Sequence, residues 1–243
     1  MPWTITGTSV TGTSHEHEGT ACQDAHAWQH NDHATVLAVS DGAGSATHGG
    51  TGALLATTAA TMYLAGALGR RHAPRVFKRV LQQTVEHTRR AIEQAATARG
   101  HDVKHYATTL LAAVLQRDYI GIIQMGDGAI IIQDGDGTLR VLTTQQDREY
   151  VNEVTFLTCG NYHDELRISV LRARRIRAVC LITDGVETFS VHRRTNKAHP
   201  GFFNPLLNNP TSADQLVALL TSKGACERSD DDKTILLATK GPR

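Results

Sequence analysis

The stretch TTLLAAVLQRDYIGIIQMGDGAIIIQDGDGTLRVL, residues 108–142, decides the fold class. It divides into four short apolar runs, 108–115, 119–125, 129–133 and 139–142, separated by Arg-Asp, Gly-Asp-Gly and Asp-Gly-Asp-Gly turns. Runs of this length bounded by Gly and Asp read as strands, here a β-meander. Ahead of them lie weaker strand patterns at 4–10 and 25–29 and a stronger one at 35–40. Two helices follow, at 50–67 and 74–98. In the second, Pro74 suits the first turn, Gly100 suits the stop, and Val76, Val80, Leu81, Val85, Thr88 and Ile92 keep a helical period. Beyond the meander, 144–165 is irregular and polar, an expected exposed loop. Strands are expected at 166–171 and 178–183, a helix at 212–222 capped by Thr211 or Ser212, and a last strand at 234–239. Strands, then two helices, then strands is not the alternation of a parallel sheet. It predicts an α+β fold with antiparallel sheets covered by helices. No repeat, low-complexity tract or Pro/Ser linker divides the chain, so 1–243 reads as one domain.

The chain has 243 residues, 40% hydrophobic and 20% charged, with a formal charge of +1. That length supports a full core, and that charge argues against bulk electrostatic binding to nucleic acid or an anionic membrane. Cys22, Cys159, Cys180 and Cys226 form no C-x-x-C pair and read as reduced thiols of a cytoplasmic protein. No signal pattern opens the sequence, and no apolar stretch reaches the roughly 18 residues of a spanning helix.

The chemistry sits in four acidic clusters: Asp41-Gly-Ala-Gly-Ser45, Gly126-Asp-Gly128, Thr183-Asp-Gly-Val186 and Asp230-Asp-Asp-Lys-Thr234. Three follow apolar runs and the fourth leads into one. A lone Asp-Gly is usually a turn. Several at the ends of apolar strands are better explained as oxygen ligands for a hard divalent ion, because buried carboxylates repel one another without cations. Two other motifs fail. The near match to G-x-G-x-x-G at Gly42-Ala-Gly44 has Thr47 in the third glycine position and no βαβ unit. A calcium loop from Asp134 has Leu139 where glycine belongs and lacks the closing Glu.

Gln23-Asp24, Asp41-Gly-Ala-Gly-Ser45, Ala107-Thr-Thr-Leu-Leu-Ala112, Gly126-Asp-Gly128, Thr183-Asp-Gly-Val186 and Asp231-Asp-Lys-Thr234 occur in the order seen in the protein phosphatase 2C (PPM) family, the metal-dependent serine/threonine protein phosphatases. The resemblance spans about residues 5 to 239, and Asn152–Thr158 looks like the bacterial stand-alone branch. It implies a four-layer αββα sandwich of two mostly antiparallel sheets flanked by helix pairs. It also implies two Mn²⁺ or Mg²⁺ ions, with a weaker third site. By position, Asp41 would bridge the two ions, Gly42 would offer its carbonyl, and Asp184 and Asp231 would hold the second ion. Asp127 would join Asp184 at the third site, and Asp24 would support metal-bound water. Asp232 sits where the family often has Asn, which ranks Asp231 above it. The implied activity is hydrolysis of phosphoserine and phosphothreonine without a covalent intermediate, on the phosphorylated protein substrate of a Ser/Thr kinase, by a monomer. The alternatives are a catalytically silent phosphoprotein-binding scaffold and a small-molecule phosphatase.

Three positions depart from the family pattern. Gly19 stands where many members have a phosphate-binding arginine, Ala43 where some have histidine, and Gln23 where glutamate is usual. His15, His17 and His48 lie near the motifs, and His15 and His48 are candidates for proton transfer. The basic run Arg172, Arg174, Arg175 and Arg177 reads as a solvated turn. Residues 144–165 fall where the family carries a variable flap.

Overall fold

The computed structural model describes residues 3–69, 72–143, 155–173 and 175–240. In chain order it forms β1 (Trp3–Val10), α1 (Thr13–Glu18), β2 (Asp24–His30), β3 (Thr35–Asp41), α2 (Gly49–Ala67), α3 (Pro74–Ala98) and a 3₁₀ turn at Val103–Tyr106. Then come β4 (Leu110–Leu115), β5 (Tyr119–Met125), β6 (Ala129–Asp134), β7 (Leu139–Val141), α4 (Tyr162–Glu165), β8 (Arg167–Arg172) and β9 (Ile176–Ile182). The chain continues through α5 (Asp184–Ser190), β10 (Val191–His192), β11 (Lys197–Ala198), α6 (Pro200–Asn208), α7 (Ala213–Leu220), α8 (Lys223–Cys226) and β12 (Lys233–Lys240).

Two five-stranded sheets, ordered β1-β12-β9-β6-β7 and β2-β3-β4-β5-β8, are antiparallel throughout. They face each other across a core of Leu37, Val39, Leu111, Ile122, Ile130, Val179, Leu181 and Leu236. The outer face of the β2–β8 sheet packs on α2 and α3 through Leu64, Phe77, Leu81 and Ile92. The outer face of the other sheet packs on α5, α6 and α7 through Val186, Phe203, Leu207 and Leu216. These are the four layers expected. With apolar layers on both faces, a strand such as β4 is buried at every residue. That is why the central strands read as unbroken apolar runs rather than as alternating ones.

The expected meander divides between the sheets. β4 and β5 pair in one, β6 and β7 in the other, and Gly126-Asp-Gly128 carries the chain across. Local turn chemistry specifies a reversal but not the partner of the next strand, and here burial decides the pairing. Residues 144–154 of the expected loop lie outside the described residues, as does Arg174. The remainder, 155–165, is not simply exposed. Leu157 is fully buried, and its N–H donates to Thr108 O at 2.8 Å. Arg89 on α3 donates to the carbonyls of Leu157 and Cys159 and lies 4.1 Å from the Tyr162 ring centroid. Arg172, Arg175 and Arg177 are exposed as expected, but Arg172 ends β8 and Arg177 lies in β9, so only Arg175 of the three is in the turn. Among the described residues, no helix is long and apolar enough to cross a membrane.

The α3 contact is tight. Gly121 leaves room for the Phe77 ring, since a Cβ there would come within 2.8 Å of Phe77 Cζ. Phe77 is fully buried. Phe77→Ala is therefore expected to cost about 3–5 kcal/mol, read as a lower urea midpoint. A loss under about 1 kcal/mol would mean that α3 is not held to β5 this way.

Candidate metal and active site

The sheets bring the acidic clusters to one edge of the sandwich. Asp24 opens β2 and Asp41 ends β3, and the two are direct cross-strand partners. Asp41's backbone is pinned on both sides. Its N–H donates to Thr109 Oγ1 at 2.9 Å, and its carbonyl accepts from Thr109 N at 2.9 Å and from Thr108 Oγ1 at 2.8 Å. The Thr-Thr pair in the 107–112 motif thus saturates the Asp41 backbone and leaves the carboxylate to face the site. Gly42 bridges Thr108 and is buried against Gly49, where a Cβ would meet the Gly49 carbonyl carbon at 2.3 Å. The Gln23 amide, oriented with its nitrogen inward, donates to Gly42 O at 3.1 Å and Ala43 O at 3.2 Å. A glutamate there could not make these bonds.

Asp127 sits between two glycines with φ of +89° and +87°, a backbone that favours glycine. That turn is clamped where the Gly128 N–H donates to Glu187 Oε2 at 3.0 Å. Asp184 is the first residue of α5, after the cap Thr183. Thr183 Oγ1 donates to Asp24 Oδ2 at 2.7 Å and accepts from Thr234 N at 3.0 Å, joining β2, α5 and β12. Gly185 is required by close approach, since a Cβ would lie 2.0 Å from Asp232 O.

Asp41, Asp127 and Asp184 each turn a carboxylate oxygen to within 4.8 Å of the others, the one such group of His, Cys, Asp or Glu side chains among the described residues. Asp231 is not part of that trio, but its charge acts on Asp24, Asp41 and Asp184. Its neighbour Asp232 is engaged elsewhere. Only 2% exposed, Asp232 accepts from Gly12 N at 2.7 Å and Gln23 N at 2.5 Å, and its Oδ2 lies 3.0 Å from His15 Nδ1. Lys233, 1% exposed, donates from Nζ to Asp231 O at 2.7 Å and fixes the loop from behind. Sequence reasoning assigned no role to Lys233 or Thr183 and ranked Asp232 below Asp231 without showing what it binds. Each acts through a partner remote in the chain or through the backbone.

The two candidate histidines separate. His15 approaches Asp232. His48 stacks on His101, with centroids 4.5 Å apart and planes at 14°, and packs on Tyr106. Gly19 caps α1 at φ +68°, a conformation that would strain an arginine. Burial, then the charges of Asp24 and Asp232, push the Cys22 thiol up and disfavour its thiolate.

Burial, reinforced by like charge, raises the carboxyls. Asp24 is pushed to about 7 and Asp184 to about 8. Asp41 stands well above its ordinary range, and Asp231 is raised too. Asp24 Oδ1 is buried with no hydrogen-bond partner. An all-oxygen, mutually repelling donor set with an unpartnered buried oxygen fits hard divalent cations.

A raised folded-state pKa means that the native protein keeps protons the unfolded chain has released. The resulting stability is complete below the ordinary carboxylate range and is lost as pH climbs through the values of Asp24 and Asp184. Chelator-treated protein should therefore melt at a lower temperature at about pH 8.5 than at about pH 5.5, and Asp184→Asn should flatten the slope. Calorimetry showing a level or rising melting temperature across that window would contradict this electrostatic picture.

The comparisons agree with the geometry. The family model for Protein phosphatase 2C matches residues 11–221. The chain is 33% identical to serine/threonine-protein phosphatase 3 of Escherichia coli (strain K12), over 98% of each chain. A serine/threonine phosphatase from S. agalactiae superposes with a TM-score of 0.74 at 16% identity, covering 99% of this chain and 100% of that one. The catalytic domain of the serine threonine protein phosphatase PstP, solved with two manganese ions, superposes with a TM-score of 0.65 at 17% identity, covering 98% and 97%. With its fold, its aspartate edge and a full-length relative in agreement, this chain belongs to the protein phosphatase 2C family of serine/threonine protein phosphatases.

Proposed function

We propose that the aspartate edge holds two Mn²⁺ or Mg²⁺ ions and hydrolyses phosphoserine and phosphothreonine in proteins phosphorylated by a Ser/Thr kinase. The observation that carries this reading is the convergence of Asp41, Asp127 and Asp184. Asp41 is assigned as the bridging ligand, with Gly42 offering its carbonyl and Asp184 and Asp231 completing the pair. Asp127 with Asp184 is assigned to a weaker third site. Two manganese ions in PstP support that count. When bound, such ions neutralise phosphoryl oxygens and lower the pKa of water.

The protein's own groups supply the rest. Thr108 and Thr109 hold Asp41 by its backbone, and Lys233 holds the Asp231 carbonyl. Thr183 orients Asp24 through Oδ2, leaving the buried Oδ1 without a protein partner. Of the two candidate histidines, His15 is the one beside the Asp231–Asp232 loop, and we assign it delivery of a proton to the leaving serine or threonine oxygen. We read 1–243 as one phosphatase domain with a flap at 144–165. The bond from Leu157 N to Thr108 O supports placing its described part, from 155 on, beside Asp41. Four free cysteines suit the reducing cytoplasm, and a monomer is the simplest form in which the edge stays open to protein substrates.

Phosphate release from a phosphothreonine peptide with Mn²⁺ tests the reaction. Asp184→Asn should lower kcat/KM at least about 100-fold, and an unchanged rate would refute the site. Peptide capture without turnover in any divalent metal would instead support a silent scaffold. Calorimetric Mn²⁺ titration separates the neighbouring aspartates. Asp231→Asn should weaken metal binding about tenfold or more, whereas Asp232→Asn should lower the melting temperature with little change in affinity. The reverse pattern would exchange their roles.

A further inference from the structure

A histidine cluster outside the aspartate edge remains without a role. His48 stacks on His101, and His105 meets His48 edge-on with centroids 6.5 Å apart. Two polar contacts orient the rings. His101 Nδ1 is 3.0 Å from Tyr106 Oη, and His105 Nδ1 is 3.4 Å from Thr47 Oγ1. In both rings the contact engages Nδ1 and leaves Nε2 for a ligand. Near-parallel rings present their nitrogens side by side rather than toward one ion, which suits an anion better than a metal. His101 is exposed and His48 and His105 are half-buried, so the cluster is open to solvent.

Its position relative to Asp41 is set by backbone pairing. Thr109 N bonds Asp41 O, Gly42 bridges Thr108, Ala43 N bonds Ala107 O, and His48 N bonds His105 O. The two segments run side by side from the aspartate edge to the cluster. Thr109 lies four positions along the chain from His105, a span of at most about 14 Å. An extended peptide covers that distance in three to four residues.

We propose that His48, His101 and His105, backed by Arg99, form a subsite for an anionic side chain three to four residues from the phosphoresidue being hydrolysed. The inference rests on the proposed phosphopeptide reaction and names its substrate class: phosphosites flanked by Asp, Glu or a second phosphorylated residue. Imidazolium N–H groups donate charge-assisted hydrogen bonds to such an anion. The charged groups around the cluster are few. Arg99 closes α3, Lys104 and Asp102 pair at 3.1 Å on the 3₁₀ turn, and the segment 43–47 carries no charge. Burial, then the positive neighbours His101, His105 and Arg99, hold His48 below its ordinary range. An anion between the rings favours the charged form of His48.

The test uses three phosphothreonine peptides, differing only in Ala, Glu or phosphoserine at the third and fourth positions on either side. With Mn²⁺ at about pH 6, the Glu and phosphoserine peptides should exceed the Ala peptide about tenfold in kcat/KM. The ratio should shrink toward one at about pH 8. It should vanish in His101→Ala/His105→Ala, with the Ala peptide unchanged within about twofold. A Glu gain without a phosphoserine gain assigns the subsite to carboxylates, and the reverse assigns it to a second phosphate. Ratios near one at both pH values, or a ratio that survives in the double variant, overturn the subsite. If no peptide is turned over, the reaction assignment fails instead, and fluorescence anisotropy with the same peptides decides the subsite. Tighter binding of the acidic peptides upholds it, and equal affinities overturn it.

Discussion

Repulsion between carboxylates is the constraint around which the rest of the structure is organised. Asp24, Asp41, Asp127, Asp184 and Asp231 come from β2, β3, the β5–β6 turn, α5 and the loop before β12. Each lies at least partly out of water, and each raises the cost of ionising its neighbours. The fold tolerates this because the surrounding groups are held rigidly. Thr108 and Thr109 fix one carboxylate by its backbone, Thr183 ties two others to β12, and Lys233 anchors a fourth. An edge built this way gains stability from any hard cation that enters it. The stability of the edge and the proposed metal-assisted hydrolysis rest on the same arrangement.

The two packed sheets make that edge possible. Covering both faces of each sheet with apolar residues leaves the strand ends as the places where polar groups can gather. Gly126-Asp-Gly128 shows the economy of the design. One turn moves the chain between sheets, places Asp127 at the edge and seats Gly128 against Glu187. The same logic explains Gly185, whose missing Cβ lets α5 approach Asp232.

Much of this was legible in the sequence, and the exceptions have physical causes. The strands at 35–41 and 110–115 declared themselves by unbroken apolarity, and α3 by its period and Pro74. The helix α1 did not, because Thr13–Glu18 buries no residue and offers no apolar period. The helix α6 carries Pro200 and Pro205 and reads locally as a break. The expected helix at 212–222 is α7, which ends at Leu220, and the short α8 just beyond it carries no pattern of its own. A capping box starts at Ser212, and Ser222 caps the next short turn. At the site, the acidic clusters could be read because carboxylates after apolar runs are conspicuous. Asp231 and Asp232 could not be separated by neighbours alone, since what distinguishes them is the set of N–H groups from Gly12 and Gln23 more than 200 residues upstream. Nor could His48 be placed, because its stacking partner His101 lies beyond α3.

The most direct test of the central claim is to crystallise the protein with Mn²⁺ and collect anomalous diffraction at the manganese edge. Two strong peaks are expected at the aspartate edge, with the Asp41 carboxylate between them and Asp184 and Asp231 on the second. Peaks elsewhere, or an edge whose carboxylates stay metal-free while the crystals hold manganese at other sites, would contradict it.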